Sequence, residues 1–452
     1  MRKKCEKQLP LMEPAPVHPK TAELEEIGKI LDENPIIYHL AHQDLTHLVE
    51  NQGSGACGMT AEQVVRATII KQTEECSYEE LAFLLGDSRC YGNFCKIGIG
   101  QTPFCKSTLA SNIKSLSWET WEAIQRIVLK SGEKMGIEKG RKARIDCTVV
   151  ESNIHEPTDS SLLWDTVRVL DRLIGRVREE FCDLGFYYRD HTRRAKRRNL
   201  GAQNAKDAET RKKAYRDLLK VTESTIGYAQ AAVEELRSRG PLALGMVGEL
   251  RKHISLGLRV VCQTTRRVMD GETVPAEEKV VSIFEPHADI IKKDRRDTYY
   301  GHKICLTGGA SNLILDCVIL EGNPADVTLT EQMLDRQHEI YGRYPLKVAM
   351  DGGFASKKNL KIAKGKGIKD VCFSKGKGLA AEDMCRSVWV FKALRRFRAG
   401  IESGISWLKR SLGLSRCTWK GHESFKSYVW SAIVSANLLT LARKRIALAQ
   451  AG

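Results

Sequence analysis

The sequence predicts an α/β fold: a mixed sheet flanked by helices, with an all-helical region before it and a helical insertion after its first strand. Three observations predict it. Short apolar runs bounded by turn residues recur at 143–150, 302–309, 313–322, 346–350 and 370–374, and helical periodicity fills the gaps between the later ones. The stretch from Thr21 to about Gly136 carries only helical signals, among them two capping boxes. A long segment, 158–285, repeats apolar residues at helical spacing and contains no strand signal. A chain of 452 residues is long enough for two to three domains with ample cores.

Taken in order, residues 1–20 hold four prolines and little pattern, and are expected to form a loose arm. Thr60 with Gln63 and Ser77 with Glu80 start two amphipathic helices, 64–72 and 78–86, separated by a short polar turn. Two helices joined this tightly resemble a helix-turn-helix, and an ordinary helical hairpin reads the same way. A strand follows at 143–150. The insertion has clear apolar periodicity at 162–177 and 229–240, and Gly240-Pro241 stops the second of these helices. The runs at 302–309 and 313–322 read as a hairpin around 310–312. Thr328 and Glu331 are spaced to cap a helix over 328–342. A strand running to Asp351, a basic helix (356–366), a short strand (370–374) and a long helix through Glu402 complete the pattern. Without 159–285, the order of strands and helices is that of an RNase H-like fold.

Composition narrows the function. An apolar fraction of 42% and a charged fraction of 28% describe a folded chain, and a net charge of +16 points to an anionic partner. The charge is concentrated: 356–398 holds thirteen basic and three acidic residues, and 193–198 (RRAKRR) holds five cations in six positions. No apolar run approaches a membrane span, and 428–442 reads as a buried C-terminal helix. The basic start, MRKKCEKQLP, lacks the apolar region of a secretory signal. Fourteen cysteines occur without a CxxC pair, which fits a reduced cytoplasmic protein with scattered core thiols rather than a zinc protein.

Three acids stand out. Asp146 interrupts an apolar strand, where an unpaired charge is costly. Asp351 ends a strand at the point where open α/β sheets build their sites. Gly352-Gly353 then terminates that strand and leaves room for a substrate backbone. Glu402 lies on a helix whose core face is Leu394, Phe397, Ile401, Ile405, Leu408 and Leu412, beside a polar stripe of Arg395, Arg398, Glu402, Ser406 and Lys409. Each acid has a structural explanation as a cap, a turn former or an i,i+4 partner of Arg398. Gly400 and Gly404 flank Glu402 at about 1 kcal/mol each in helix propensity, which favours a closely approached helix. Phosphodiester chemistry needs an activated oxygen and a stabilised leaving group. Two Mg²⁺ ions bridged by carboxylates supply both, so converging acids imply a divalent ion.

At these residues the chain resembles bacterial insertion-sequence transposases of the DDE class, in particular the ISNCY-like group. The resemblance covers most of the chain, through 77–98, 299–306, 320–329 and 437–445. The family's last acid lies in a Tyr–x2–Arg–x3–Glu–x6–Lys signature, whose spacing Arg398, Glu402 and Lys409 keep, with Arg395 in place of Tyr. The resemblance implies that Asp146, Asp351 and Glu402 are catalytic residues and ligands of Mg²⁺ (or Mn²⁺), a pair of ions being the family's pattern. It implies that Arg398 and Lys409 hold DNA phosphates. Arg395 beside them, and Arg193 and Arg194 in the 193–198 charge run, are further candidate DNA contacts, and that run reads equally as a solvated helix face. The expected domains are a helical DNA-binding domain (1–136), an RNase H-like catalytic domain (137–158 and 286–452) and the insertion (159–285). The expected partners are double-stranded DNA at element ends and target, and further copies of the chain in a synaptic complex. The protein is expected in the cytoplasm, on the nucleoid when bound to DNA.

Other signals are weaker. His39, His42 and His47 fall in one helix at spacings that do not align three ligands. His302 reads as a satisfied strand histidine, and Trp407 and Trp419 as core. A nuclease without joining activity, and a domesticated DNA-binding protein that has lost catalysis, are the alternatives. Retention of all three acids argues against the second.

Overall fold

In a computed structural model the described residues are 18–47, 58–98, 100–237, 239–293 and 297–451. The N-terminal arm expected over 1–20 lies outside them up to residue 17, and His18 caps the first helix. The elements are α1 (Pro19–Asp32), α2 (Ile36–Thr46), α3 (Ala61–Thr73), α4 (Tyr78–Asp87), α5 (Arg89–Phe94), α6 (Lys106–Ser115), α7 (Trp118–Lys134), β1 (Lys142–Ser152), α8 (Asp159–Glu180), α9 (Thr192–Gln203), α10 (Ala208–Leu236) and α11 (Pro241–Thr264). There follow β2 (Asp289–Lys293), β3 (Asp297–Gly309), β4 (Ile314–Ile319), α12 (Thr330–Tyr341), β5 (Lys347–Met350), α13 (Lys357–Gly365), β6 (Asp370–Phe373), α14 (Ala381–Met384), α15 (Val388–Ser411), β7 (Arg416–Cys417) and α16 (His422–Ala451). The strands belong to a seven-stranded mixed sheet, flanked by helices in the RNase H-like manner, with the helical insertion following β1.

The chain divides into two compact units. Unit 1 comprises residues 1–150, 303–320 and 324–452. Within it β1 pairs in parallel with β5, and β5 in parallel with β6, while β3 and β4 form the expected antiparallel hairpin. Asn312 turns that hairpin with a positive φ of 69°, which Asn tolerates better than most residues. Successive residues of β3 alternate between two cores. Ile304 and Leu306 face one shared with α7 and α16, whereas Cys305, Val348, Met350, Val371 and Phe373 face one shared with α12, α13 and α15. The N-terminal helices belong to the first core, because α16 packs against α1, α3 and α7 as well as β4. That explains why its 428–442 stretch is apolar around most of its circumference. Asn437 on α16 accepts from the Ile314 amide (2.9 Å) and donates to its carbonyl (2.7 Å), pinning the hairpin to the helix.

Both capping boxes form as expected, Thr60 with Gln63 and Ser77 with Glu80. The third does not. Residues Asp326–Thr328 make a tight 3-10 turn, the Thr328 hydroxyl donates to the Ala325 carbonyl, and α12 starts at Thr330 without a side-chain cap. Threonine can satisfy a preceding carbonyl as readily as a following amide, and here the turn takes it.

Unit 2 comprises residues 151–302 and 321–323. Its helices α8, α9, α10 and α11 pack together over a core that includes Leu163, Leu170, Leu218, Ile226, Val233 and Leu250. Gly240, at φ +88°, reverses the chain between α10 and Pro241 at the start of α11. A Cβ at Gly257 would strike Thr166 and Ile226, so that glycine permits the close crossing of α11 over α8 and α10. Strand β2 pairs antiparallel with the first half of β3, Ile290 opposite Tyr300. The sequence reading did not find β2, whose five residues (DIIKK) carry too little alternation to stand out.

Candidate active site

Strand register explains how acids 205 positions apart come together. In the parallel pair β1–β5, Ile145 lies opposite Met350, so the next residues, Asp146 within β1 and Asp351 just past the end of β5, lie at one level. In the pair β5–β6, Met350 lies opposite Phe373, which puts Ser374 beside Asp351. The Ser374 hydroxyl donates to Asp351 Oδ1 at 2.7 Å. This is the carboxyl edge of three neighbouring parallel strands, where open α/β sheets place their sites.

Helix α15 brings the third acid. It packs against β5 and β6, where Leu394 joins their core, while Ile401 and Leu408 are buried in the core shared with α7 and α16. Arg144 on β1 fastens it by donating to the Phe397 carbonyl (3.1 Å) and lying over the Phe397 ring. A Cβ at Gly400 would collide with the same guanidinium, so that glycine serves the protein's own packing. Gly404 has open space where a Cβ would lie, and nothing in the structure explains it.

The three acids meet around one cation. The Arg398 guanidinium lies 3.0 Å from Asp146 Oδ2, 3.1 Å from Asp351 Oδ1 and 2.5 Å from Glu402 Oε1. Exposure rises across the set, from 14% at Asp146 through 38% at Asp351 to 59% at Glu402, so the site opens towards solvent on the α15 side. Asp146 Oδ1 also accepts from the Cys147 amide at 2.8 Å. Burial pushes the Asp351 carboxyl up, but the Ser374 hydroxyl, the Gly352 and Gly353 amides and Arg398 outweigh it and hold the group below the usual aspartate range. The three carboxylates bring hard oxygen donors together, the donor chemistry a divalent ion such as Mg²⁺ takes.

The remaining predicted residues divide. Arg395 is exposed on α15, and Lys409 lines a cleft of about 660 Å³ that also receives Lys71, Lys114, Arg416, Tyr78 and Tyr428. Arg398, expected on phosphates, faces the acids in the structure. In unit 2, Arg193 is exposed on α9, whereas Arg194 and Arg198 both pair with Asp217. Gly352 and Gly353 are small for an internal reason: Cβ atoms there would strike Lys375 and Asp326. Three residues that sequence reasoning missed position the site: Ser374, Arg144 and Lys375, whose side chain runs past Gly352. Only Ser374 carried a signal, as the residue that ends its strand run.

The paired helices α3 and α4 form the expected hairpin. Helix α3 is almost wholly buried, and α4 exposes Glu79, Glu80, Phe83 and Asp87 with no Lys or Arg, a face that repels phosphate.

Residues 262–438 match the family model described as the transposase DDE domain. No curated protein and no solved structure matches the chain. Over these residues the chain is similar to the DDE domain of insertion-sequence transposases, a class that uses divalent metal ions. The matched span includes Asp351 and Glu402 and begins well after Asp146.

Proposed function

We propose that this transposase binds the inverted-repeat ends of its element, cleaves them, and joins the freed 3′-hydroxyls to target DNA, with Asp146, Asp351 and Glu402 as its catalytic carboxylates. The observation that carries this is the meeting of those three acids, from β1, the end of β5 and α15, around the single guanidinium of Arg398. The same three carboxylates would hold divalent ions, two Mg²⁺ or Mn²⁺, and when bound these supply activation of the attacking oxygen and stabilisation of the leaving one. Ser374 and the Gly352 and Gly353 amides keep Asp351 ionised and fixed in direction, ready to ligate. Arg398 balances the acids and lies where a scissile phosphate would need a cation. Arg395 and Lys409 extend the positive face along α15, and Arg193 offers a phosphate contact on unit 2. Synapsis of two ends motivates an oligomer of this chain.

The test is a joining assay with labelled end DNA and a plasmid target. The protein is expected to yield joined products with Mg²⁺, whereas Asp351→Asn yields neither nicked ends nor joined products yet still shifts end DNA. Cut ends without joining point to a nuclease. Strand transfer retained by Asp351→Asn overturns the site assignment.

A further inference from the structure

Unit 2 contains a chain of four ionisable side chains that the DDE site does not use. His287 Nδ1 lies 2.7 Å from His302 Nε2. The outer nitrogens both face carboxylates, His287 Nε2 at 2.7 Å from Glu285 Oε2 and His302 Nδ1 at 3.0 Å from Asp289 Oδ2. Asp289 Oδ2 also accepts from the Gly322 amide at 2.8 Å, which holds that carboxylate, and the Glu285 amide donates to Ser282 Oγ at 3.1 Å, which fixes the Glu285 backbone. The two rings are nearly parallel, 8° apart with centroids at 5.0 Å, and meet through their nitrogens. Glu285 and His302 are almost without solvent, at 4% and 2% exposure.

Proton accounting constrains this arrangement. A carboxylate only accepts, so each outer ring nitrogen carries a proton. The inner nitrogens then need one more proton between them, or two lone pairs would face each other. That state places one imidazolium between two carboxylates, a net −1 in a poorly solvated place. A divalent ion in place of the shared proton makes the set neutral. Both imidazoles become neutral ligands, and each keeps an outer N–H on a carboxylate, which is the outer-shell pattern that fixes tautomer and orientation in histidine metal sites. The inner nitrogens must open from 2.7 Å to about 3.3 Å to share a tetrahedral ion at about 2.0–2.1 Å each. His287, at 13% exposure, is the ring with room to tilt.

We propose that His287 Nδ1 and His302 Nε2 bind one transition-metal ion of the zinc class, with Glu285 and Asp289 as orienting carboxylates. Imidazole donors select such an ion over Mg²⁺, which separates this site from the oxygen ligands of the DDE acids.

The test uses the full-length protein, stripped with chelator, dialysed, and titrated with Co²⁺ and Zn²⁺ in the absence of DNA. The expected result is one equivalent of Co²⁺ with the visible absorption of a tetrahedral nitrogen-ligated site, without thiolate charge-transfer bands, displaced by Zn²⁺ and not by millimolar Mg²⁺. His287→Gln and His302→Gln should each abolish that band, and Glu285→Gln should weaken binding about 10- to 100-fold while keeping it. Absence of the band in the unaltered protein overturns the proposal and leaves a proton-sharing pair only. Retention of the band in the doubly substituted protein overturns it as well. Neither outcome bears on cleavage or joining, so failure here is distinct from failure of the DDE reading.

Discussion

Arg398 shows what a residue's neighbours can do to its role. By spacing alone it is either the i,i+4 partner of Glu402 or a phosphate contact. In the structure it is the shared partner of three acids, and its side chain is only 15% exposed. A guanidinium so placed competes with any cation the acids hold. Arg398→Gln is therefore expected to lower the Mg²⁺ concentration for half-maximal cleavage by up to about tenfold, or about 1.4 kcal/mol. The same change should weaken end binding and reduce the slope of log affinity against log salt by about one. An unchanged metal requirement, measured by cleavage across a Mg²⁺ titration, would remove Arg398 from the acids' charge balance. Glu402 and its helix spacing were legible in the sequence. Arg144 was not, and Ser374 showed only as the end of a strand run, because a serine or arginine acquires such a role only through what lies across the sheet.

Elements were legible where local chemistry decides them. The capping boxes of α3 and α4, the 310–312 turn and the Gly240-Pro241 break all form as their residues suggest. Thr328 failed because a competing local hydrogen bond was available. One element junction in unit 2 is pH-sensitive. Asp171 on α8 accepts from the His191 amide and the Thr192 hydroxyl at the start of α9, both at 3.1 Å. Burial pushes its carboxyl up to about 6 despite those bonds. Its folded pKa exceeds its unfolded value, so the folded state holds the proton longer and stability falls as pH rises from about 4 to 6. Asp171→Asn keeps the accepting oxygen and is expected to stabilise the protein at pH 7.5 by about 1–3 kcal/mol. The gain should vanish by pH 4. Thermal melts at the two pH values check it, and a gain independent of pH would contradict the assignment.

At the scale of the whole molecule, the +16 charge is the property most exposed to solution conditions. Ten of the thirteen cations in 356–398 are exposed, Lys357, Lys358, Lys361, Lys369, Lys375, Lys377, Arg386, Lys392, Arg395 and Arg396. If several of these neutralise phosphates, binding of end DNA should fall about 10³-fold or more between 50 and 200 mM salt. A flat response, measured by fluorescence anisotropy, would count against the tract as a DNA surface. Within the described residues no helix is long and apolar enough to cross a membrane, in line with the reading of 428–442 as buried.

What the sequence determined by itself was the fold class, the strands and helices long enough to show a period, and the identity of three isolated acids. These follow from alternation, capping and turn chemistry, all of which act within a few residues. What only the tertiary structure decided was convergence. The parallel register of β1, β5 and β6 brings Asp146, Asp351 and Ser374 to one edge, and the packing of α15 turns Arg398 into the acids rather than towards solvent. The histidine pair of unit 2 has the same origin: fifteen residues separate His287 from His302, and chain folding brings their nitrogens into contact. Such contacts depend on register and packing between segments distant in the chain, and no local pattern encodes them.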